Sequence, residues 1–389
     1  MNLMIAFPDF SLNRARNEAE TESHWRKLEV AKVARKPPDL PANGTNLNAS
    51  LPGRQCAPKT SIAFFKMHKC SSSTVQNILF RYGERHQLDF VLPPRGNFLG
   101  SSDRVFYRGD MLNFPVSRYN ILCHHTRFSH KGMQNVLAKD AVFTTIIRDP
   151  VTMFESLFTY VHMASWYGLP QGKGLELFLE NPGFYYNKTH GLKCMARNPM
   201  LFDLGLDESF LEDEVRVRWK IENLRRQLHL VMITEYFEES LVLLKHLMCW
   251  DTDDIVYFIL NARSKPSVQP VSPDMAAKIR RWNFGDVALY DAFNRTFWKK
   301  VAAFGHDRMR REVAELRERN KYFRDHCIAR VVTSDSTVWR PHGIDIDSFQ
   351  LRPEAQGDEM CVQMARTELP YSNHIKEIQL ARYGMPKQN

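Results

Sequence analysis

The spacing of apolar residues changes character near Thr60. Residues 1–59 offer few periodic apolar positions, and the stretch ARKPPDLPANGTNLNASLPGRQ is rich in Pro, Asn and Gly, the composition of a linker or stem. Residues 60–389 read as one folded domain. SIAFF is a short unbroken apolar run suited to a buried strand, and Val75, Ile78, Leu79 and Tyr82 after it fall at i, i+3, i+4 and i+7, one face of a helix. YNILCHH (119–125), AVFTTII (141–147) and LVMITE (230–235) are further strand runs. AVFTTII leads at once into RDPVTMFESLFTYVHM, where Asp149 suits an N-cap and Pro150 the first helical position. LVMITE leads into the helical pattern FEESLVLLKHLMCW, helical spacing dominates 272–326, and the tail beyond is mixed. Strands alternating with helices predict parallel βαβ units and an α/β fold, a three-layer sandwich around a central parallel sheet.

Composition agrees with a folded chain. Apolar residues make up 43% of 389 positions, enough for a large core. Lys and Arg outnumber Asp and Glu by 53 to 44, which favours an anionic partner. Much of that excess sits in VRVRWKIENLRR (215–226) and DRMRREVAELRERNKYFRD (307–325), whose helical spacing describes solvated faces. Neither interleaves cations with aromatics, and no zinc-finger, homeodomain or RNA-recognition motif is present, so a nucleic-acid partner is not expected. The seven cysteines form no CxxC pair, so no structural zinc site is expected. Four sequons, at Asn43, Asn48, Asn187 and Asn294, lean toward the secretory pathway. MNLMIAF is far shorter than the roughly 20 residues of a membrane span and lacks a signal peptide's charged start and cleavage site. As given, the chain reads as soluble.

In open parallel sheets ligands bind beyond the carboxyl ends of the strands, which directs attention to the loops after the first and third strand runs. The first, KMHKCSSST, places Lys69 before Ser71, Ser72, Ser73 and Thr74 at a helix start, a phosphate cradle built without glycine. N-capping alone explains Ser72 or Ser73, but not the cation before them. The nucleotide-binding pattern GxxxxGK[ST] is absent. The second loop ends its strand in Arg148, whose guanidinium can fork onto a phosphate or pair with a neighbouring carboxylate such as Asp149. Ser156 lies eight residues on, where only a group lying along the helix flank would reach it.

Two anion cradles at one sheet edge suggest a ligand with two phosphate-type groups. FFKMHKCSSSTVQNILFRYG and TTIIRDPVTMFESLFTYV resemble the 5′-phosphosulfate loop and the 3′-phosphate motif of sulfotransferases that use 3′-phosphoadenosine 5′-phosphosulfate, with a P-loop-like fold. NILCHHTRF, GFYYN, EYFEESLVLLKHLMCW, LNARSKPSV and YDAFNRTFW resemble, in order, segments of the galactose 3-O-sulfotransferase family, from about Thr60 to beyond Cys361. The resemblance implies transfer of a sulfuryl group to O3 of a β-linked galactose on a glycolipid or glycan, without a metal, in the Golgi. It implies Lys69 as the catalytic cation and His125 as the base that takes the acceptor proton. Cys70, Ser71, Ser72, Ser73, Thr74, Arg148, Ser156 and Arg263 would then meet the nucleotide, and His68 and Arg127 the acceptor. For Arg127 and Arg263 a surface ion pair is an equal alternative. His124 neighbours His125, but alternation along a strand sends the two to opposite faces. His68 ranks second to His125 as base. A disulfide between Cys327 and Cys361 is also implied. The family's loop runs closer to KTHKTASST, so Met67, Cys70 and Ser71 stand where it has Thr, Thr and Ala. The family's members are Golgi membrane proteins with an N-terminal anchor, which this chain does not display.

Overall fold

Four short runs in which every residue is buried build the central sheet: β1 (Ile62–Phe65), β2 (Ile121–Leu122), β3 (Val142–Ile147) and β4 (Leu230–Ile233). Their apolar character is continuous rather than alternating because helices flank the sheet and leave the strands no solvated face. All three pairings are parallel, in the order β2-β1-β3-β4. The chain steps from β1 to one side, then crosses back to β3 on the other. A crevice therefore opens beyond the carboxyl end of β1. The computed structural model describes residues 56–386 apart from 102–103, 189–192, 261, 264–269 and 334–343. The expected stem, with Asn43 and Asn48, lies outside the described residues except for its last few positions.

Helix α1 (Ser72–Arg85) follows β1 and α2 (Pro150–Tyr160) follows β3. α3 (Pro199–Asp203) and α4 (Glu214–Gln227) precede β4, which runs through a short turn into α5 (Phe237–Met248). The helical span beyond residue 272 resolves into α6 (Pro273–Trp282), α7 (Phe284–Phe304) and α8 (His306–Cys327). α2 stops short of its apolar pattern because His162 turns left-handed, with φ 53°. YNILCHH pairs with β1 only at Ile121 and Leu122; His125 changes partner and bridges Phe98 instead.

The tail forms an antiparallel pair, β5 (Ile328–Thr333) with β6 (Asp347–Leu351), followed by α9 (Glu359–Ala365) and α10 (Glu368–Arg382). Cys327 is bonded to Cys361, as the resemblance implied, with Cα atoms 5.3 Å apart. A second disulfide, Cys56–Cys249, ties the start of the described chain to the end of α5. Among the described residues no helix is long and apolar enough to cross a membrane.

Candidate active site

The loop after β1 departs from ordinary backbone geometry. Lys69 and Ser71 both lie in the left-handed region, at φ 56° and 59°, a conformation costing L residues about 1–2 kcal/mol each. Ser71 is the N-cap of α1 in position only, for its side chain makes no capping hydrogen bond. The other hydroxyls turn into the scaffold. Ser72 Oγ donates to the Met67 carbonyl at 2.6 Å, Ser73 Oγ donates to Glu368 Oε2 at 2.5 Å, and Thr74 Oγ1 accepts from the Leu260 N–H at 3.1 Å. Cys70 is buried, its carbonyl accepts from Thr234 Oγ1 at 3.0 Å, and burial pushes its thiol well above the usual range. The hydroxyls thus serve the scaffold, and no side chain caps this helix start, the kind of element that binds anions.

Cations gather around that start. Lys66 is buried; its Nζ lies 3.0 Å from Glu368 Oε2 and donates to Ser73 Oγ at 2.9 Å. Lys69 Nζ sits 3.5 Å from the centre of the Tyr160 ring. Burial, reinforced by Arg263, Arg148 and Lys66 and opposed by Glu368, brings the Lys69 pKa down to about 7. Positive charge is in local excess here, which is the condition an anionic ligand relieves.

After β3, Asp149 and Pro150 take the cap and first-turn positions that the sequence assigns them. Asp149 Oδ1 accepts from the Val151 and Thr152 N–H groups at 3.1 and 3.3 Å, while Oδ2 pairs with Arg280 at 2.8 Å. Arg148 donates to Thr152 Oγ1 and to the Lys69 carbonyl, each at 3.1 Å, so it bridges the two loops. Ser156 is buried along α2. Its neighbour Glu155 is held by the Arg263 fork, Nη1 to Oε1 at 3.1 Å and Nη2 to Oε2 at 2.5 Å. That pair is buried rather than superficial, with side-chain exposures of 6% and 4%.

Beside these loops a cavity of about 40 Å³ is lined by Lys66, His68, Phe98, His125, Arg127 and Asp203, among others. Strand alternation separates the two adjacent histidines. His124 turns toward α10, its Nε2 2.8 Å from Ser372 Oγ, and burial lowers its pKa to about 3. His125 lines the cavity in a cluster of three rings, 4.5 Å from His68 and 4.8 Å from Phe98, centre to centre. Its Nδ1 lies 3.0 Å from the Lys66 carbonyl, which can only accept, so Nδ1 carries the proton and Nε2 the lone pair. Burial, with Lys66 and His68 nearby, holds His125 well below the ordinary imidazole range and keeps the ring neutral.

His68 is held in place by Asp203. Asp203 Oδ2 accepts from its Nδ1 at 2.7 Å and from its backbone N–H at 3.2 Å, while its Nε2 is buried without a hydrogen-bond partner. Asp203 closes α3, a helix held from both sides. Arg127 donates to the Phe202 and Leu206 carbonyls at 3.2 and 2.8 Å and lies over the Phe202 ring. Asp286 accepts from the Met200 and Leu201 N–H groups at 3.0 and 2.9 Å, capping α3 from α7; its burial raises its pKa to about 7. Sequence reasoning passed over Lys66, Phe98, Asp203 and Glu368. The doubled cation of KMHK was a signal for Lys66; the others reach the site from distant segments.

Fold and site together define a class: an α/β protein with a cation-lined helix start at the carboxyl edge of a parallel sheet, beside the imidazoles of His68 and His125. The family model for galactose-3-O-sulfotransferase matches residues 28–379, and the chain belongs to that family. It is 39% identical over 354 residues to galactosylceramide sulfotransferase of Mus musculus, covering 87% of this chain and 82% of that one. The Homo sapiens protein of the same name is 37% identical over 332 residues, covering 82% and 78%. Galactose-3-O-sulfotransferase 2 of Sus scrofa is 36% identical over 334 residues, covering 82% and 84%.

Proposed function

We propose that the chain transfers a sulfuryl group from 3′-phosphoadenosine 5′-phosphosulfate to the 3-hydroxyl of a β-linked galactose on a glycolipid or glycoprotein glycan, within a three-layer, P-loop-like fold. The names of its relatives support the reaction. The observation that carries the mechanism is the His125 Nδ1 contact with the Lys66 carbonyl, because it leaves a neutral Nε2 at the cavity.

The residues present suit the donor. An uncapped helix start and the cluster of Lys66, Lys69, Arg148 and Arg263 are complementary to a polyanion. In the proposed in-line step, His125 Nε2 takes the proton from the galactose hydroxyl as its oxygen forms the bond to sulfur. The bond from sulfur to the bridging oxygen breaks, and the Lys69 ammonium stabilises the charge that builds on the departing 5′-phosphate. Cys70, Ser71, Ser72, Ser73 and Thr74 form the loop around that phosphate through backbone N–H groups. Arg148 and Ser156 face the 3′-phosphate, and Arg263 fixes the wall of that pocket through Glu155. Arg127 shapes the acceptor side by holding α3. His68, oriented by Asp203, contacts the acceptor and is the second candidate for its proton. The scheme draws its electrophilic stabilisation from these cations and calls on no metal. A Golgi lumenal setting at the membrane fits the family and is part of the proposal.

The test is transfer of labelled sulfate from the donor to a panel of β-galactosides, lipid-linked and soluble, followed by linkage analysis of the product. Sulfate on galactose O3 is the expected result. Product at another hydroxyl would reassign the regiochemistry, and nucleotide binding without transfer to any galactoside would favour a non-catalytic nucleotide- or glycan-binding relative.

A further inference from the structure

The sheet has a second edge that the proposed reaction does not use. At the amino end of β4, the end of α4 and the middle of α7 enclose a cavity of about 180 Å³. Its floor is apolar and buried: Leu228, Val231, Phe293 and Phe297. Its rim is polar, with Arg225, His229, Thr296 and Lys300. The catalytic loops follow the carboxyl ends of the same strands, so this cavity is remote from them in the fold.

Each ionisable group on the rim is a cation or a hydrogen-bond donor. His229 is held in place twice by β3. Its backbone N–H donates to the Phe143 carbonyl at 2.8 Å, and its Nδ1 accepts from the Phe143 N–H at 3.0 Å. A backbone N–H can only donate, so Nδ1 is the bare nitrogen and Nε2 carries the proton. His229 thus presents a fixed N–H donor. Lys300 is exposed and takes part in no ion pair among the described residues. Arg225 Nη1 pairs with Glu222 at 3.2 Å and Nη2 donates to the Ala292 carbonyl at 3.5 Å, which leaves part of the five-donor guanidinium for another partner. Burial first, then Lys59 and Lys300 nearby, disfavours the charging of His229. Among the described residues, Glu222 is the carboxylate that pairs with a rim group, through Arg225 from outside the lining. Arg225 and Lys300 against Glu222 leave the named groups with a net positive charge.

Size completes the picture. At about 180 Å³ the cavity has room for one flat ring, with an anionic group left at the rim. We propose that this cavity is a second ligand site, which takes a phosphate or sulfate monoester of a flat aromatic or heteroaromatic body. The ring packs on the phenylalanine floor, and the ester oxygens meet Arg225, His229 Nε2 and Lys300.

The experiment titrates phenyl phosphate, by calorimetry, into the whole chain already saturated with adenosine 3′,5′-bisphosphate so that the donor cleft is filled. One further equivalent is expected to bind, with inorganic phosphate at least tenfold weaker. Lys300→Glu, at an exposed position, is expected to weaken phenyl phosphate at least tenfold while leaving the melting temperature and the rate of sulfate transfer unchanged. Lys300→Met should give a smaller loss in the same direction. The proposal is overturned by an absence of binding to the saturated wild type, by equal affinity in Lys300→Glu, or by equal affinity for inorganic phosphate, which would leave the apolar floor without a role.

Discussion

The loops after β1 and β3 sit side by side, each joining a parallel strand to a helix, yet they handle the helix start in opposite ways. After β3, Asp149 satisfies the first N–H groups of α2, its second oxygen pairs with Arg280, and its own N–H is accepted by Glu235. The helix closes itself, and the loop contributes the Arg148 guanidinium. After β1, Ser71 occupies the cap position in a left-handed conformation without capping, and the hydroxyls that follow it are engaged elsewhere. A capping side chain and an anionic ligand compete for the same N–H groups. The comparison teaches that the loop proposed to hold the donor is the one that leaves its helix start without a side-chain cap and carries the left-handed residues.

Breaking the open loop at its cation should have the largest effect. Lys69→Ala is expected to lower the transfer rate about 10³-fold, on the order of 4 kcal/mol of transition-state stabilisation, with the fold retained by circular dichroism. Breaking the closed loop should cost stability instead. Asp149→Ala removes the cap of α2 and the partner of Arg280, and denaturant titration should show a loss of about 2 kcal/mol.

A third, smaller effect sharpens the contrast through protons. Lys69 titrates near 7 in the free chain, and a nearby polyanion favours its charged form, so the complex holds more protons than its parts. Binding of adenosine 3′,5′-bisphosphate at pH 8 should therefore take up a fraction of a proton, read by calorimetry in buffers of different ionisation enthalpy. Affinity should fall as pH rises above 7, and both signals should vanish in Lys69→Met. The smallest effect concerns the strain itself. Ser71→Gly should stabilise the chain by roughly 0.5 kcal/mol, since glycine adopts the left-handed region without steric cost.

Local rules made the closed loop legible. Asp149 and Pro150 are nearest-neighbour capping signals, and the structure places both where those signals put them. The four strand runs were readable because full burial demands continuous apolar sequence. Alternation along a strand separates His124 from His125, and the two rings do point to different surroundings. The open loop resisted reading where its partners are remote. Asp203 meets His68 across 135 residues and Glu368 meets Ser73 across 295, distances over which no periodic pattern survives. Lys66 was overlooked because it ends an apolar run, where a cation looks like the strand's solvated terminus; in the structure it is buried. The Cys56–Cys249 bridge spans 193 residues and had no counterpart in spacing.

The central claim is that a neutral His125, oriented by the Lys66 carbonyl, removes the acceptor proton. The most direct measurement is single-turnover transfer of labelled sulfate to a β-galactoside by the wild-type chain, His125→Gln and His124→Gln, each shown to be folded and to bind adenosine 3′,5′-bisphosphate. The account predicts a loss of about 10²–10⁴-fold for His125→Gln, with nucleotide affinity preserved, and a far smaller loss for His124→Gln. Transfer by His125→Gln at the wild-type rate would contradict it and pass the role of base to His68.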